Sequence, residues 1–74
     1  MCYTLVAEYR GNDHDFDKLI RKASKTRSDS SEFSFIDGFR DITFSFKSYK
    51  LAIDAKRRIR KELGRKKNLN LYIY

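Results

Sequence analysis

Basic residues crowd one stretch of this 74-residue chain: Lys56, Arg57, Arg58, Arg60, Lys61, Arg65, Lys66 and Lys67, with only Asp54 and Glu62 as acidic company. Lys and Arg at such density neutralise phosphates and release their counterions, which is how proteins hold nucleic acid backbones. The same residues are good helix formers, and a solvated helix face would also use them. The residues placed for phosphate contact are Arg57, Arg60, Lys61, Arg65, Lys66 and Lys67. Tyr72 and Tyr74 further along could stack on bases.

Other chemistry is sparse. Asp13, Asp15 and Asp17 have the spacing of the first half of a calcium loop. That chemistry also needs glycine at loop position 6 and glutamate at position 12. Those positions hold Lys18 and Ser24, so the carboxylates read as the acidic N-terminus of a helix. His14 has no nucleophile at a recognisable spacing and reads as a solvated first-turn residue. Cys2 has no base or electropositive neighbour in the sequence to activate it. One cysteine and one histidine cannot make an internal disulfide or a Cys/His zinc site. No glycine-rich phosphate loop, Ser/His/Asp set or spaced carboxylate pair is present. We therefore expect no enzyme, no cofactor and no metal.

The composition sets outer bounds. At this length a chain makes one small domain, here 1–74, with a marginal core. Hydrophobic residues are 41% and aromatics 15%, enough for packing. There is no proline, and the only glycines are Gly11, Gly38 and Gly64. No apolar run approaches the roughly 18 residues of a membrane span. The first residues lack a signal-peptide pattern. A cytoplasmic monomer is expected. The net charge of +7 is uneven: residues 1–46 carry seven Lys/Arg against eight Asp/Glu, and residues 47–74 carry ten against two. That asymmetry points to polyanion contact or to solubility.

The elements that must position these residues follow from periodicity. Residues 2–10 alternate as a strand, with Tyr3, Leu5, Ala7 and Tyr9 on one face. Asn12 or Asp13 caps a helix whose apolar stripe is Phe16, Leu19, Ile20 and Ala23. Ser24 to Ser31 is the longest loop. A run at 32–36 and another at 39–47 flank Asp37-Gly38, the signal for a two-residue type I′ hairpin. That turn predicts Ile36 opposite Phe39, Phe35 opposite Arg40 and Phe33 opposite Ile42. Phe33, Phe35, Ile42, Phe44 and Phe46 then share one face. Ser48 caps a second helix at 49–63, ended by Gly64. Ala52, Ala55, Ile59 and Leu63 point inward; Arg57, Arg60 and Lys61 point away. In 69–74, Leu69, Leu71 and Ile73 face in, while Asn70, Tyr72 and Tyr74 face out.

The order predicts an α+β ferredoxin-like βαββαβ fold, a four-stranded antiparallel sheet of order 4-1-3-2 with two helices on one face. This topology resembles RNA-recognition-motif domains. Laid on their third-strand signature, Gly38, Phe39, Ile42 and Phe44 match. Asp37, Arg40 and Asp41 stand where the family has a basic residue, glycine and a stacking aromatic, so its sheet-face RNA binding is not carried over. Every glycine falls at an element end or turn, and local signals agree throughout. Such uniform agreement is characteristic of engineered sequences. Our first expectation is an engineered or redesigned scaffold with no evolved function and no specific partner. The second is a nucleic-acid-binding module using the basic helix and the segment after it. The third is a small inhibitor or adaptor of the kind phages encode, docking on a protein.

Overall fold

In the computed structural model, residues 2–26, 28 and 30–74 are described. Arg27 and Asp29, within the expected Ser24 to Ser31 loop, lie outside the described residues, as does Met1. The elements are β1 (Tyr3–Arg10), α1 (His14–Ser24), β2 (Ser30–Phe33), β3 (Phe39–Phe46), α2 (Tyr49–Leu63), a short 3-10 turn (Lys66–Asn68) and β4 (Asn70–Ile73). The strands form one antiparallel sheet of order β2-β3-β1-β4, the predicted ferredoxin-like order read from its other edge.

Each helix starts where a side-chain oxygen can take an orphan backbone N–H. The Asp13 carboxylate accepts from the N–H groups of Asp15 (3.0 Å) and Phe16 (3.2 Å). Ser48 accepts from that of Leu51 at 3.2 Å. Gly64 ends α2 at φ 59, ψ −130, a conformation open to glycine and hostile to a Cβ. The core lies between the helices and one sheet face. Leu5, Ala7 and Tyr9 of β1, Ile42 and Phe44 of β3, and Leu69 and Leu71 beside them meet Phe16 and Ile20 of α1 and Ala55, Ile59 and Leu63 of α2.

The hairpin departs from expectation. A type I′ turn needs positive φ at both central residues. Only Gly38 has it, at φ 74; Asp37 does not. The chain instead closes a four-residue loop over Phe35–Gly38. Ser34 N–H donates to the Phe39 carbonyl (2.9 Å), and Gly38 N–H to the Ser34 carbonyl (2.8 Å). Phe33 therefore pairs with Arg40 and Ser31 with Ile42, a slip of two residues. Because the slip is even, Phe33 keeps its face. Phe35 and Ile36 leave the sheet altogether, 91% and 97% exposed.

The α1 stripe also differs. Leu19 is 49% exposed, and the buried face runs through Phe16, Asp17, Ile20, Ala23 and Ser24. Arg58 of α2 explains part of this. Its guanidinium donates to the carbonyls of Ala23 (3.2 Å) and Ser24 (2.8 Å), the bare C-terminal end of α1. That tie turns the Ala23–Ser24 side of α1 toward α2 and leaves Leu19 at the rim.

Candidate nucleic-acid interface

The sheet divides the polar groups of the molecule into two populations. On the helix side, the cations of α2 and its exit stand on the outer surface. Arg57, Lys61, Arg65 and Lys66 are exposed. None of them has an ion pair among the described residues. Lys22 of α1 and Lys25 at its C-cap, absent from the expected contact set, stand across a groove from them. This groove, about 590 Å³, lies between the helices and is lined by Leu19, Lys22, Lys25, Lys61 and Lys66 among others. A second depression along α2, about 400 Å³, is lined by Ile53, Lys56, Arg57, Arg60 and Lys61.

Two of the six expected contact residues hold the fold together. Arg60 does not simply point away: its Nη1 donates to the carbonyls of Gly64 (2.6 Å) and Leu69 (3.0 Å), closing the turn into β4. Burial and the neighbouring Arg65 charge lower its guanidinium below the ordinary value. Lys67 lies 3.3 Å from the Asp13 carboxylate and above the Phe16 ring. The Phe16 N–H first, then that pairing and the Asp15 N–H, lower the Asp13 carboxyl below its usual range.

Tyr72 and Tyr74 are on the opposite side. Alternation along β4 buries Leu71 in the core and turns Tyr72 to the open face beside Val6, its pairing partner. Tyr74 continues the pairing, its N–H donating to the Thr4 carbonyl at 2.8 Å. The structure thus brings four exposed expected cations to the helix side, and leaves the two tyrosines behind the sheet.

What surrounds those tyrosines is acidic. Register sets Glu32 opposite Asp41 and Asp41 opposite Glu8, with Asn70 next in the row. Like charges directly opposite repel. Asp41 Oδ1 is buried without a hydrogen-bond partner. Burial, with the charge of Asp41, raises the Glu8 carboxyl, while hydrogen bonds from Asn70 and Tyr72 oppose the rise. Glu8 in turn raises the Tyr72 hydroxyl. A phosphate laid on this row would meet carboxylates.

One polar cluster was not anticipated. Asp17 is buried inside the fold, where Arg40 Nε donates to its Oδ2 at 2.6 Å and the Tyr9 hydroxyl to its Oδ1 at 2.5 Å. The Asp13 N–H donates to the same hydroxyl at 3.0 Å. Burial first, then the bond to Asp17, pushes the Tyr9 hydroxyl up to about 12. His14 is solvated as expected, 84% exposed, and 4.0 Å from Asp17. A signal for the cluster exists in the alternation. Tyr9 and Arg40 both fall at inward parity on neighbouring strands, and an inward arginine requires a carboxylate. Asp17 adjoins the helix stripe that covers them.

Among the described residues no group of three His, Cys, Asp or Glu side chains is arranged to hold a metal, and Cys2 is free and exposed. Nor is any helix among them long and apolar enough to cross a membrane. Compared with protein-family models, curated proteins and solved structures, the chain finds no match.

Proposed function

We propose that this chain is a non-catalytic module that holds nucleic acid by its phosphates through the helix side, acting as a monomer in the cytoplasm. The observation that carries the proposal is the unpaired basic surface. Lys22, Lys25, Arg57, Lys61, Arg65 and Lys66 are exposed on the helix side and its exit, with no ion pair among the described residues. A surface built only for solubility mixes both signs. Here Glu62 is the one carboxylate among the residues lining the two depressions, while Glu8, Asp41 and Glu32 form a row on the far side of the sheet.

An idealised scaffold without a ligand is supported less well. Such a chain would satisfy its buried polar atoms and keep residues other than glycine out of positive φ. Lys25, Lys67 and Asn68 sit at φ 59, 54 and 58, and Asp41 Oδ1 is unsatisfied. A protein-docking adaptor is the second reading, favoured by the adjacent, almost fully exposed Phe35 and Ile36.

Fluorescence anisotropy of a labelled oligonucleotide at 50 and 200 mM salt tests the proposal. Five phosphate contacts correspond to a log–log slope near −4.5, an affinity loss of about 500-fold over that range. Absence of binding at 50 mM would overturn it.

A further inference from the structure

Resting on that reading, we infer that the nucleic acid is a duplex held along its backbone at the groove between α1 and α2, rather than a single strand laid on the sheet.

Two surface chemistries would be combined by a single-strand site: cations that track the backbone and exposed rings on which bases stack. The groove between the helices supplies the cations without the rings, since no aromatic side chain lines it. The exposed rings Tyr72 and Tyr74 are on the open face, in the company of Glu8, Asp41 and Glu32. Tyr49, edge-on to Tyr3 at 5.5 Å, and Phe35 at the hairpin tip are exposed rings that lie outside the groove. Tyr49 opens α2, and Lys61 lies twelve residues along it, roughly 18 Å away. A single strand held in the groove would therefore find charge neutralisation without stacking.

A duplex needs only the second. Its bases are already stacked, and its phosphates present one charge per roughly 1.7 Å of axis. The groove meets that demand from two elements at once, with Lys22 and Lys25 on one wall and Lys61 and Lys66 on the other, against the single carboxylate Glu62. Helix α2 has 15 residues, roughly 22 Å, which passes about a dozen duplex charges. The groove offers an acidic protein segment little beyond charge. Leu63 and Ala23 in its floor are buried, so Leu19 is the one substantially exposed apolar side chain. A docked peptide helix needs a deeper apolar anchor.

The experiment compares a labelled 20-base-pair duplex with each of its separated strands by anisotropy, repeats it with an unrelated sequence, and adds polyglutamate as competitor. The expected result is a duplex bound at least about tenfold more tightly than either strand, with the two sequences within about twofold, because backbone contacts are blind to sequence. The double variant Lys22→Gln/Lys61→Gln should flatten the log–log salt slope by about two, one phosphate contact per lysine. Tyr72→Ala should leave duplex affinity unchanged. Circular dichroism of each variant checks that it folds. Tighter binding of single strands, weakened by Tyr72→Ala, overturns the duplex inference and leaves phosphate binding standing. Displacement of the duplex by polyglutamate at equal charge concentration also overturns it and assigns the groove to a protein. Salt-sensitive binding of neither form removes the functional reading itself.

Discussion

Asp17 and Asp41 are the same residue on opposite sides of one sheet, and their surroundings make them opposites. Asp17 is buried on the helix side with a guanidinium on one oxygen and a phenol on the other. Asp41, on the open side, faces Glu8 on one neighbouring strand and Glu32 on the other, with Oδ1 unpartnered. A buried carboxylate holds structure when donors meet it and strains structure when they do not. The helix side thus spends its internal charge on the fold and exposes its cations. The open side keeps a repelling row in place because the surrounding pairing outweighs it.

The comparison breaks if the two aspartates respond alike to substitution. Asp17→Ala should show the largest effect, about 3 kcal/mol of lost stability in urea unfolding, because Arg40 and Tyr9 are left buried without their acceptor. A loss below about 1 kcal/mol would mean that water replaces the carboxylate. Asp13→Ala should cost about 1 kcal/mol through the lost cap of α1, read by the same unfolding curves.

Asp41→Asn should instead stabilise the protein at pH 7 by about 0.5 kcal/mol, since it removes a like charge opposite Glu8. The pH dependence sharpens this. Glu8 has a folded-state value raised above its ordinary 4.5. Its contribution is fully present below that ordinary value and is lost as pH rises through the raised one. Asp13 works the other way: its lowered value makes stability that is present above about 3.8 and is lost in acid. Stability measured from pH 4 to 7 should therefore carry a falling component that Asp41→Asn reduces. The smallest effect belongs to the hairpin tip. Phe35→Ser/Ile36→Ser should change stability by less than about 0.5 kcal/mol, whereas a two-residue turn with Phe35 in the core would make it cost about 3 kcal/mol or more.

Element order, sheet topology and the inward faces of β1, α2 and β4 were legible in the sequence. Alternation and helical spacing are local, and Asp13, Ser48 and Gly64 mark ends by their own side-chain chemistry. The hairpin was not legible in full because Asp-Gly suits more than one loop. Choosing between them depends on where Arg40 and Gly11 go, and Gly11 N–H donates to the Gly38 carbonyl at 2.7 Å. Of the expected phosphate contacts, charge density identified the region. It could not separate the exposed Lys61 and Lys66 from Arg60, whose guanidinium closes the turn into β4, or from Lys67, which lies against Asp13.

The sequence by itself determined a basic half, a balanced half and a ferredoxin-like order of elements, since composition and period are properties of the chain alone. Only the tertiary structure decided which charges remain available. Whether a charged side chain meets solvent, a carbonyl or another charge depends on residues distant in sequence: Arg58 on the end of α1, Arg40 on Asp17, Asp41 against Glu8. Those encounters follow from strand pairing and helix packing, and they leave Tyr72 and the exposed cations of α2 on opposite sides of the same sheet.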